Sequence, residues 1–138
     1  MGKINWGRVF LCGLLASLVW GVPSAVLVHR VGADWQIAVH AGRPAPTEGG
    51  LFFTVLGLVN LMTGIWTMWL YAAIRPRYGP GPKTAAIAGL ALWVVFCMAH
   101  AVWAVFAVLP PKVLVPLEVV HLPAFILGAV VGAWLYKD

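Results

Sequence analysis

Four apolar runs, at about 8–28, 51–74, 85–109 and 116–136, divide the chain, and turn-forming and charged residues gather between them. Each run reaches the length of about 20 apolar residues that crosses a bilayer as a helix. Inside a membrane the backbone must satisfy its own hydrogen bonds, so the pattern predicts helices and not strands. The expectation is an all-α polytopic protein: one integral membrane domain over 1–138, folded as a bundle of four transmembrane helices. The longest connection, 29–50, would lie on the outer side. The first run follows Lys3 and Arg8 as a signal peptide would, but it extends well past a short apolar core and reads as a retained helix.

Within each run, small or polar residues recur at spacings of three and four, which places them on one helix face. The first run carries Gly13, Ser17, Trp20 and Ser24, and the second Gly57, Asn60, Gly64, Thr67 and Tyr71. The third has Gly89, Trp93, Phe96, His100 and Trp103, and the fourth Glu118, His121, Phe125, Gly128, Gly132 and Leu135. Small residues let helices approach closely in lipid, and polar ones hydrogen-bond across the contact. Gly57, Gly64, Gly128 and Gly132 are therefore expected at helix contacts. Gly128 and Gly132 form a GxxxG element that suits the bundle itself or a dimer.

Composition sharpens the class. Apolar residues make up 62% of the 138 and charged residues 9%, with a mean hydropathy of +0.94. So small a soluble domain could not cover that much apolar surface. The net charge of +5 does not point to nucleic acid, because the nine basic residues are scattered at the ends of the runs and form no phosphate-binding stripe. Lys3, Arg8, Arg75, Arg77, Lys83 and Lys137 fall on one side, and Arg30, Arg43 and Lys112 on the other. Basic residues favour the cytoplasmic side, so both termini are expected there. Arg75, Arg77 and Lys83 would meet anionic lipid head groups. Trp6, Trp35, Trp69, Tyr71, Tyr78, Trp134 and Tyr136 lie near run ends and read as interfacial anchors.

Trp69-Leu70-Tyr71 and Trp134-Leu135-Tyr136 end the second and fourth runs, and Gly13-Leu14-Leu15-Ala16 resembles Gly89-Leu90-Ala91-Leu92. This suggests two helical hairpins in the same orientation. The turn Gly79-Pro80-Gly81-Pro82-Lys83-Thr84 has the superficial look of a phosphate loop. It lacks the glycine before the lysine, and its prolines remove the N–H donors that would hold phosphate. Lys3-Ile-Asn-Trp-Gly-Arg-Val9, with Trp69-Leu-Tyr-Ala-Ala-Ile-Arg-Pro-Arg-Tyr-Gly-Pro-Gly-Pro-Lys-Thr84, resembles a family of small uncharacterised bacterial four-helix inner-membrane proteins. That resemblance, over most of the chain, implies the bacterial cytoplasmic membrane and brings no catalytic residue with it.

Ionisable residues inside membrane spans are functional candidates because burying them is costly. Counted at about 1.5 Å per residue, Asn60 and His100 fall about 13 Å below the outer boundary and His121 about 7 or 8 Å, if the fourth helix starts at Pro116. With Glu118 shallower and His29 near the rim, these residues would line a polar recess. Plainer roles exist for each. Glu118 would be a first-turn acid favoured by the helix dipole, Asn60 an interhelical hydrogen-bonding group, and His121 a partner for a carbonyl freed by Pro123.

The leading expectation is an accessory or structural subunit that contacts lipid and assembles as a homo-oligomer or in a larger membrane complex. One alternative is a tetrapyrrole protein, with haem b or a chlorophyll-type pigment held axially by His100 and His121. Another is a small solute or proton-coupled transporter with a Glu118–His121 relay. Glu118-x-x-His121 has the spacing of one half of a carboxylate-bridged dimetal site, but the second motif and the further glutamates are missing. The sequence therefore favours no metal site and no enzyme.

Overall fold

The computed structural model describes residues 4–30, 50–106 and 111–136. The described residues form four helices, α1 (Trp6–Arg30), α2 (Gly50–Tyr78), α3 (Pro82–Val105) and α4 (Pro111–Leu135). Each contains a stretch long and apolar enough to cross a membrane. Among the described residues the secondary structure is all helical, with the dimensions and composition of a multi-pass membrane protein. Asp34, Trp35, Arg43 and the rest of the expected outer connection lie outside the described residues.

The helix ends differ from those expected. α2 passes through Pro76 to Tyr78 and does not stop at Ile74. A proline in the last turn forfeits only one backbone bond; the helix then closes with Gly79 N–H donating to the Arg75 carbonyl at 2.9 Å. Gly79 and Gly81 turn the chain with φ of 84° and 132°, which favours glycine. α3 starts at Pro82, where a missing N–H costs nothing. The Thr84 hydroxyl donates to the Gly79 carbonyl at 2.7 Å, and Gly81 N–H donates to the Tyr71 hydroxyl at 3.3 Å. At the other end, Phe106 is already in a turn and α4 begins at Pro111 and not Pro116.

α1 packs extensively against α2 and α4, α3 packs extensively against α4, and α2 meets α3 over a smaller contact. Consecutive helices run antiparallel in an up-and-down bundle that α4 closes against α1. Glycine sets the closest approaches. A Cβ on Gly64 would lie 2.2 Å from the Gly13 carbonyl oxygen, one on Gly128 2.9 Å from that of Ala16, and one on Gly132 3.0 Å from that of Cys12. The GxxxG face of α4 is thus filled by α1 and by Met68 of α2 of the same chain. Gly57, expected at a contact, is exposed with nothing within 4 Å of its added Cβ.

The hydroxyls of α1 and α2 do not act as expected either. Ser17, Ser24, Thr63 and Thr67 donate to carbonyls three or four residues earlier on their own helices, at 2.7, 2.8, 2.8 and 2.7 Å. A hydroxyl that donates to its own helix has no proton left to bridge to the next.

The main core lies toward the chain termini and contains Val9, Cys12, Ala16, Met68, Tyr71, Ala85, Ala129 and Tyr136. Trp6, Tyr78 and Trp134 face outward there. Tyr71 and Tyr136, expected as interfacial anchors, are buried and meet edge-on at 5.8 Å. Asn5 N–H donates to the Tyr136 hydroxyl at 3.3 Å, so the phenols find partners inside the bundle.

Candidate functional site

A second, smaller core of Trp20, Ala124 and Phe125 lies toward the opposite end, with Leu92, Trp93 and Phe96 packed against it. Trp20 stacks on Phe125 at 4.7 Å and meets Phe96 edge-on at 5.9 Å. This aromatic floor supports the ionisable residues above it. His121 sits edge-on to both Trp20 and Phe125, at 6.0 and 6.3 Å, and His100 edge-on to Phe96 at 6.0 Å.

On α3, Trp93, Cys97 and His100 follow one another at spacings of four and three and share a face. All three reach the second turn of α4. The Trp93 indole N–H donates to the Glu118 carbonyl at 3.1 Å. The Cys97 thiol donates to Glu118 Oε2 at 2.9 Å, and His100 Nδ1 pairs with Glu118 Oε1. The Glu118 side chain thus has both oxygens engaged by α3. Since Nδ1 of His100 is taken up by the carboxylate, the ring is held with Nε2 free.

His121 completes the group. It lies one helical turn from Glu118, and its ring centroid is 6.3 Å from that of His100, at 30° between planes. Only 5% of His121 is exposed, and neither ring nitrogen has a hydrogen-bond partner among the described residues. One ligand atom each from His100, Glu118 and His121 can be chosen so that all lie within 4.8 Å of one another. A buried imidazole with two idle nitrogens, beside a carboxylate–imidazole pair, is an arrangement that core packing alone does not require.

Several expectations change here. α4 starts five residues earlier than expected, so Glu118 lies in its second turn and is not a first-turn acid. His121 does not satisfy a carbonyl freed by Pro123, because both of its nitrogens are unpartnered. Counted from the helix ends, His100 is five residues before Val105 and His121 ten residues after Pro111. This reverses the expected order of depth, with the two ring centroids 6.3 Å apart.

Asn60 lies apart from this group, against α1: a Cβ on Gly21 would fall 2.0 Å from Asn60 Nδ2, and Asn60 Oδ1 is unpartnered among the described residues. His29 falls in the last turn of α1, where the side chains lie outside the described residues. Trp103, placed on the polar stripe of α3, faces outward. Cys97 is the participant that sequence reasoning missed; its three-four relation to Trp93 and His100 was the available signal, with Phe96 taken in its place. Arg75 and Arg77 lie in the last turn of α2, and Lys83 is exposed at the start of α3. The Arg75 guanidinium lies 5.6 Å from the centre of the Tyr136 ring.

The site distinguishes poorly matched ligands from well matched ones. A flat macrocycle between His100 and His121 would have to displace the Glu118 carboxylate, which shares their space, and part α3 from α4 where Trp93 bonds Glu118. A proton or a single ion needs no such separation. No family model matches the chain, and neither a curated protein nor a solved structure matches it. The resemblance noted in the sequence rests on its quoted motifs alone.

Proposed function

We propose that this chain is a small multi-pass membrane protein that moves an ion through an intramembrane acid–base site, as a proton-coupled carrier. The observation that carries this reading is the gathering of His100, Glu118 and the unpartnered His121 between α3 and α4, with one ligand atom of each within 4.8 Å of the others. Ionisable groups at such positions are costly, and a bundle needing only contact would fill them with apolar residues. Glu118 lies between the two imidazoles, one helical turn from His121, so a proton can pass between the carboxylate and either ring. The large exposed apolar side chains are spread over all four helices. That suits lipid contact and singles out no patch to support an accessory-subunit role.

The topology that goes with this reading places both termini, Arg75, Arg77 and Lys83 on the cytoplasmic side of a bacterial inner membrane. The site then opens toward the outer side. Trp69-Leu70-Tyr71, late in α2, and Trp134-Leu135-Tyr136, at the end of α4, fit two hairpins of like orientation. The test is proton entry into vesicles containing the full chain and an internal pH dye, driven by a potassium diffusion potential. Glu118→Gln keeps the shape of the side chain but cannot ionise, and should reduce entry to that of protein-free vesicles. Equal entry in wild type and variant removes the reading.

A further inference from the structure

The geometry points to a first-row divalent transition-metal ion as the species this site takes, ligated by one nitrogen each of His100 and His121 and by the Glu118 carboxylate. The inference rests on reading this cluster as the functional site, but it does not depend on proton movement.

The donor set comes first. Two imidazoles and one carboxylate are the ligands of metal sites that keep a position open for water or substrate. Magnesium and calcium prefer oxygen ligands throughout, and cuprous copper prefers thiolate and thioether sulfur. Imidazole with carboxylate suits zinc, cobalt, nickel and ferrous iron.

The geometry comes second. Metal–ligand bonds of about 2.0–2.2 Å put two ligand atoms on a tetrahedral ion roughly 3.3–3.6 Å apart. The three donors here lie within 4.8 Å, so closing them on an ion needs side-chain adjustments of an ångström or so and no movement of helices. Glu118 is the natural mover, because its carboxylate has several rotatable bonds.

The third observation is the unpartnered imidazole. His121 is nineteen-twentieths buried with neither nitrogen bonded among the described residues, and an ion would give one nitrogen the partner it lacks. His100 Nδ1 already faces the Glu118 carboxylate, so an ion would replace that direct contact and draw on both groups as ligands. Cys97 and Trp93 support the acid without being ligands: one donates to Oε2 and the other to its backbone carbonyl.

The experiment is a titration of the tag-free, full-length protein in detergent with Co²⁺, read by its visible ligand-field absorption. Equilibrium dialysis with Zn²⁺ gives the stoichiometry. One ion per chain is expected, with binding weakened at least about tenfold in His121→Ala and in Glu118→Gln, and with Cys97→Ser nearer to wild type. Absence of uptake by the wild type overturns the inference, as does uptake that both variants leave unchanged. Wild-type uptake is decisive by itself if a variant fails to fold. Proton entry in metal-free vesicles is measured separately, so loss of either reading is recognised without the other.

Discussion

Gly64→Ala tests how the helices are held together. The added methyl would lie 2.2 Å from the Gly13 carbonyl oxygen, 2.7 Å from Ser17 Cβ and 2.8 Å from Ser17 N, where ordinary contact begins near 3.4 Å. Two of these three atoms belong to backbone and cannot rotate away, so α1 and α2 must separate by roughly 1 Å. A gap of that size forfeits about a quarter to a half of each dispersion contact along the seam. Overpacking of this kind costs about 1–3 kcal/mol, and alanine returns about 0.5–1 kcal/mol through its better helix propensity. The net expectation is a loss of about 1–2 kcal/mol.

The matched control is Gly57→Ala on the same helix. Nothing lies within 4 Å of its added Cβ, so only the propensity effect remains and stability should hold or rise. Unfolding of both variants in mixed detergent–dodecyl sulfate micelles, followed by helical circular dichroism, gives the comparison. A Gly64→Ala protein as stable as wild type would refute the close α1–α2 seam. Equal losses in both would place Gly57 in a contact that the single chain does not contain.

Two further substitutions probe the two ends of the bundle. His121→Leu replaces a buried ring with two unpartnered nitrogens by an apolar side chain of similar reach. It should stabilise the metal-free protein by about 1 kcal/mol or more while abolishing Co²⁺ uptake, and a fall in metal-free stability would reveal a bond that His121 makes. Tyr136→Phe removes the acceptor of Asn5 N–H and keeps the ring against Tyr71. A loss of about 0.5–1.5 kcal/mol is expected in the same micelle assay, and no loss would assign the motif's contribution to ring packing alone.

The number and type of elements were legible because length and hydropathy decide them in a membrane. The ends of α3 and α4 were not, because proline weakens a helix without always ending it. Pro116 sits inside α4, and the five residues misassigned there moved Glu118 and His121 away from their expected heights. The glycine stripes carried more information than the hydroxyl stripes. A glycine matters only if another helix is close, whereas a serine or threonine can satisfy itself on its own carbonyl, as Ser17 and Thr67 do. Gly57 shows the limit of periodicity, since spacing gives a face but not what that face meets. The candidate site was half visible: Glu118-x-x-His121 stood out on one helix, but the choice between Phe96 and Cys97 on α3 depended on a rotation that sequence does not specify.

The two ends of the bundle answer different physical demands. Around the main core, small residues bring backbones together, and hydroxyls such as Thr67 and the Tyr71 phenol find hydrogen-bond partners, so local preference and global fold agree. Toward the other end the agreement breaks down. Trp20 Nε1, Asn60 Oδ1 and both nitrogens of His121 are buried without partners among the described residues, and two prolines interrupt the bonding of α4. A sequence shaped only for stability would remove such conflicts, and where they cluster they mark a site whose function requires them. Those of Trp20 and His121 lie beside Glu118, the one acid within a membrane-spanning helix among the described residues. Glu118 is held by α3 while His121 stands one turn away, and on the proposed reading the well-packed end supplies the rigidity that lets this end stay open for an ion.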